Sequence, residues 1–125
     1  MKLRLDKEVV ETLIKLHEDH IRYVYPNGTT GTFDFTKMPV EFFQKEASDP
    51  NRAKFYKIVD SMDLDLRREL IALMWLGTNS EFGVNEFPTL FDHAVGCQDA
   101  AAQYLFGKAE LSRFLREGMA KLNLS

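Results

Sequence analysis

The stretch ELIALMWLG, residues 69–77, places seven apolar residues in succession, Leu70 to Leu76, and closes them with a glycine. Asp65, Arg67, Arg68 and Glu69 come just before the apolar run. A helix starting near Asp63 or Leu64 therefore begins among charges and loses them after its first turn and a half. With about 3.6 residues per turn, an unbroken apolar run faces every direction around the helix axis. Such a helix must be covered all round, by other helices of the same chain or by a second subunit. Residues 64–76 are thus expected at the centre of a bundle, with Leu70, Leu73, Met74 and Trp75 almost fully buried. Gly77 is expected to end the helix as a left-handed C-terminal cap.

The flanking sequence supplies the covering helices. Asp6 can cap a first helix reaching about Tyr23, with Val10, Leu13, Ile14, His17, Ile21 and Val24 along one face. Residues 25–39, YPNGTTGTFDFTKMP, mix glycine, proline and four threonines and predict a loop or small hairpin. A short helix is expected over Val40 to Ala47. Asp49-Pro50 pairs a capping carboxylate with proline at the first helical position. The helix it starts carries Phe55, Ile58, Val59 and Met62 and is expected to end near Ser61. After the polar TNSEFGVNE, a helix is predicted from Glu86–Pro88 to Phe106, with Gly96 marking a bend or break. The last helix, Lys108 to about Leu122, aligns Leu111, Phe114, Leu115, Met119 and Leu122, with Gly118 on the same face. Glycine inside a helix costs about 1 kcal/mol relative to alanine, so a neighbouring backbone is expected to approach closely there. The expected fold is all-α: one compact domain over residues 1–125, five or six helices around the 64–76 segment, with a loop or small hairpin at 25–39.

Composition narrows the function classes. The chain has 125 residues, a formal charge of −3 and one cysteine, Cys97. The charge gives no reason to expect a polyanion as the main partner. A lone cysteine forms no internal disulfide, which fits a reducing, cytoplasmic setting. No apolar run approaches the roughly 20 residues that span a bilayer, so no membrane association is expected. The opening MKLRLDKEVVE puts charges where a signal peptide needs its apolar stretch.

Three groups of residues can carry chemistry. His17 and His20, in His-Glu-Asp-His, are three apart on a helix and are candidate metal ligands beside Glu18 and Asp19. Yet His17 lies on the apolar face, no further Cys/His cluster follows, and Ile14 and Leu90 stand where a di-iron Glu-x-x-His would need glutamate. Packing and the helix C-terminal dipole explain a helix-end histidine more simply, so no cofactor is expected. His93 and Cys97, four apart, would share a helix face as a thiolate–imidazole pair, but cysteine is among the most often buried residues. The segment 99–122 can form a helix-turn-helix with Arg113, Arg116 and Lys121 outward; Glu110 and Glu117 dilute that face.

Two segments together, RRELIALMWLG (67–77) and AAAQYLFGKAELSRFLREGM (100–119), resemble a family of small bacterial all-helical proteins whose shared region is termed a domain of unknown function. The matching residues are Leu70, Ala72, Leu73, Trp75, Leu76 and Gly77, then Tyr104, Leu105, Gly107, Leu111, Leu115, Glu117 and Gly118. The likeness runs from about Arg52 to Leu122. Phe114 stands where the family has tyrosine, Ala109 where it has proline, and Thr78-Asn79-Ser80 where it has a charged turn. The resemblance implies an all-helical bacterial protein and carries no catalytic residues across.

The leading expectation is a non-catalytic protein-interaction or regulatory module that binds a protein partner or self-associates as a homodimer. Phe33 and Phe35 are the candidate interaction residues, because alternation puts both rings on one side of an extended segment. The alternative is a nucleic-acid-associated regulator using the helical pair 99–122, although nucleic acid is not the expected partner. A metal-dependent or cysteine enzyme comes third.

Overall fold

The computed structural model describes residues 3–24 and 48–123, six α-helices and two 3-10 segments among them. The expected loop at 25–39, with Phe33 and Phe35, and the expected helix at 40–47 lie outside the described residues.

Three of the described helices begin at an aspartate. Asp6 precedes α1 (Lys7–Val24) and accepts the Glu8 N–H at 2.9 Å. Asp49 caps α2 (Pro50–Asp60), accepting the Asn51 N–H at 3.1 Å while Pro50 takes the first turn. Asp63 caps α3 (Leu64–Thr78), accepting the Leu66 N–H at 2.9 Å. These bonds satisfy N–H groups that a helix start leaves without an internal partner. The second half of the described chain holds a short 3-10 turn (Val84–Glu86), α4 (Phe87–His93), a 3-10 stretch (Ala94–Ala100), α5 (Ala101–Phe106) and α6 (Leu111–Lys121).

The structure places α3 in the middle. It packs against α4, the 3-10 stretch, α5 and α6, while α1 covers α2 and α6, and α2 lies on α5. Leu70, Ile71, Ala72, Leu73 and Leu76 are each 0% exposed and Met74 1%, so the chain itself covers the apolar run on every side but that of Trp75. At about 1.5–3 kcal/mol for each large aliphatic side chain taken from water, this segment is a major source of stability. Trp75 departs from expectation: it is only partly buried. Its indole N–H donates to the Tyr104 hydroxyl at 2.8 Å. A polar tip on a large ring is best served at such a boundary position.

Gly77 is a second correction. It is not a left-handed cap: α3 continues through Thr78, and Asn79 ends it in extended backbone at φ −133°. Gly77 is buried where α3 crosses α6, and a Cβ there would overlap the Phe114 carbonyl and reach the Gly118 nitrogen at 3.0 Å. Gly118 answers it from α6, where a Cβ would overlap the Leu73 carbonyl. The close approach expected at Gly118 is therefore present, and it needs a glycine on both helices. The carbonyls at the end of α3 are taken up by Lys121, whose Nζ donates to Leu76 O and Asn79 O at 2.7 Å each. Lys121 thus turns inward to α3, not outward as a basic contact.

The helix expected over 86–106 is broken, and Gly96 falls within the 3-10 stretch. Arginines of α3 engage carbonyls along this region: Arg68 Nε donates to Phe91 O at 3.2 Å and Arg67 Nη1 to Gln98 O at 3.4 Å. Arg67 also reaches Asp60 O at 2.8 Å and Met62 O at 3.1 Å, closing the end of α2. Glu69, grouped by sequence with the charged helix start, is only 2% exposed. Its Oε1 accepts the backbone N–H groups of Arg4 at 2.7 Å and Leu5 at 3.3 Å, pinning the segment before α1 onto α3.

Candidate functional site

The two histidines of α1 both point into the bundle, where they meet the end of α5 and the start of α2. Spacing of three puts them on one helix face, next to Leu13 and Ile14. His17 is 1% exposed, and its Nε2 lies 3.3 Å from the Phe106 carbonyl. A carbonyl only accepts, so Nε2 carries the hydrogen and donates. Phe106 ends α5, which leaves its carbonyl without a helical partner; His17 supplies one. Burial pushes the His17 imidazole down to about 4, against a smaller opposing effect of the Phe106 carbonyl. His17 is therefore neutral at pH 7.

His20 is 3% exposed and places Nδ1 2.7 Å from Oδ2 of Asp49, itself 2% exposed. The Asp49 carboxylate is shared: Oδ2 faces His20 while Oδ1 holds the Asn51 N–H at the start of α2. Phe106 sits between these elements. Its ring centroid is 5.2 Å from His17, 4.5 Å from His20, 4.9 Å from Phe55 and 5.8 Å from Tyr56. Arg52 closes the cluster from outside, with its guanidinium 4.4 Å from the Tyr56 ring centroid. Three helices are thus tied through two imidazoles, one carboxylate and a group of aromatic rings.

An imidazole held by a carboxylate is an arrangement that suits a general base or a metal ligand. Each histidine here is directed to its own acceptor, His17 to α5 and His20 to the cap of α2. Among the described residues, no three His, Cys, Asp or Glu side chains gather as a metal site. The pairing of His20 with Asp49 has no local sign in the sequence, since the two lie 29 residues apart. Phe106 carried no signal beyond its place before Gly107.

The other candidate chemistry is dispersed. His93 is exposed at the end of α4, while Cys97 is half-buried in the 3-10 stretch, so the shared α-helical face expected of them does not form. In the helical pair, Arg113 is exposed and lies 3.0 Å from Glu110. Arg116 crosses to α1 and donates to both oxygens of Glu18, at 2.9 and 3.0 Å. This bond holds the Glu18 carboxyl below its ordinary range and raises the Arg116 guanidinium. Of the cations expected to reach outward, Lys121 is bound to α3, while Arg113 and Arg116 stay exposed at the surface, each beside a glutamate. Two depressions flank the Glu18–Arg116 pair, about 480 Å³ and 350 Å³, and Ile14 and Met119 in the floor of the larger are each 3% exposed. Among the described residues, no helix is long and apolar enough to cross a membrane.

Residues 52–124 match the family described as "Protein of unknown function (DUF3775)". That region covers more than half of the chain, which belongs to this family. It holds the Gly77–Gly118 crossing, Phe55, Tyr56 and Phe106, whereas His17, His20 and Asp49 precede it. No curated protein and no solved structure matches the chain.

Proposed function

We propose that this member of the family is a non-catalytic binding module whose partner is a protein chain, a second copy of itself included. One observation supports this above the others: among the described residues, the buried ionisable side chains are spent on holding the fold. His17 serves a helix-end carbonyl, His20 and Asp49 join α1 to α2, and Glu69 holds the N-terminal segment. Glu110 and Glu18 beside Arg113 and Arg116, with Lys121 turned to α3, dilute the basic face of the helical pair, which weighs against the nucleic-acid alternative. In the finer form of the proposal, Phe33 and Phe35 are the contact residues and the setting is the bacterial cytoplasm.

The test uses the whole chain and the Phe33→Ser, Phe35→Ser double variant. Light scattering over a concentration series reports self-association. Affinity capture, followed by rebinding of each captured protein in purified form, reports a different partner. The expected result is association of the parent chain that the double variant loses while keeping its melting temperature. A parent chain that stays monomeric and rebinds no purified protein overturns the binding role. Association that survives the double substitution overturns the assignment to Phe33 and Phe35 alone.

A further inference from the structure

No further inference is drawn: the strongest candidate, the groove between α1 and α6 on either side of the Glu18–Arg116 ion pair, has Ile14 and Met119 already covered in its floor and nothing in the structure shows what would occupy it.

Discussion

Gly77 of α3 and Gly118 of α6 stand opposite each other with no room for a side chain on either, so the two helices meet backbone to backbone. Replacing a mid-helix glycine by alanine ordinarily stabilises by about 1 kcal/mol. Here the sign inverts, because the obstruction is a main-chain carbonyl on each side, Phe114 for Gly77 and Leu73 for Gly118. Gly77→Ala and Gly118→Ala should each destabilise by about 1–3 kcal/mol through overpacking. Gly96 is the internal control: a Cβ there meets nothing within 4 Å, so Gly96→Ala should be neutral or mildly stabilising. Urea unfolding of the three variants checks the ordering. Equal effects at all three positions would contradict the crossing.

The central helix gives a second test. Leu73 is 0% exposed and its Cδ1 lies beside the Gly118 position. Leu73→Ala should cost about 2–5 kcal/mol, through lost transfer energy and the cavity left behind. Trp75 reports on the same helix by fluorescence. Being partly buried and bonded to Tyr104, it should emit between the limits of a fully buried and a fully hydrated indole. Tyr104→Phe should shift that emission and cost about 1 kcal/mol, the ordinary net value of one hydrogen bond. An emission maximum equal to that of free tryptophan would place α3 at the surface.

Helix starts and the central position of α3 were legible because their signals are local. A capping aspartate and the N–H that donates to it lie within three residues, as at Asp6, Asp49 and Asp63, and the apolar run 70–76 declares the burial of all its members but Trp75. What was hidden depends on residues far apart in the chain. The glycine of a left-handed cap and the glycine of a helix crossing look alike until residue 118 is brought to residue 77. Glu69 reads as part of a charged surface turn until Arg4 and Leu5 present their N–H groups to it. In the candidate site the pairing of His17 and His20 on one face was readable, whereas Phe106 and Asp49 come from other helices. The helix break at 94–100 had only Gly96 as its sign.

Stability should fall in mild acid because of His17. Its folded value of about 4 lies below the unfolded value of 6.5, so the unfolded chain binds more protons between these two. The contribution of neutral His17 is fully present above pH 6.5 and is lost progressively as pH falls through about 4. The full difference corresponds to about 3 kcal/mol. His17→Gln should lower stability at pH 7 and flatten its dependence between pH 6.5 and 4. An imidazole titrating in the folded protein near 6.5, followed by NMR, would contradict the burial of His17.

The His20–Asp49 contact joins the end of α1 to the start of α2, and both partners are buried. Removing one partner leaves the other buried without its hydrogen bond, which typically costs about 1–3 kcal/mol. Asp49→Ala also removes the cap, worth about 1 kcal/mol, so it should cost more than His20→Ala. Asp49→Asn keeps an acceptor for the Asn51 N–H and should recover part of the loss. A double-mutant cycle of His20→Ala with Asp49→Ala should give a clear coupling energy. A chelator should leave the melting temperature unmoved; a drop of many degrees that His20→Ala abolishes would restore the metal reading.

Lys121 supplies the last test, at the end of the central helix. Its ammonium donates to Leu76 O and Asn79 O, carbonyls that the close of α3 leaves in need of partners. A cation there also complements the negative end of the helix dipole. Lys121→Met preserves most of the aliphatic stem and removes both bonds, so it separates packing from charge. The expected loss is about 1–2 kcal/mol, near the value of a charge-assisted hydrogen bond. Arg113→Met makes the comparison: Arg113 is 58% exposed and paired only at the surface, so it should change stability by less than about 1 kcal/mol. Equal effects of the two substitutions would mean that Lys121 is a solvated surface cation and that the closure of α3 does not depend on it.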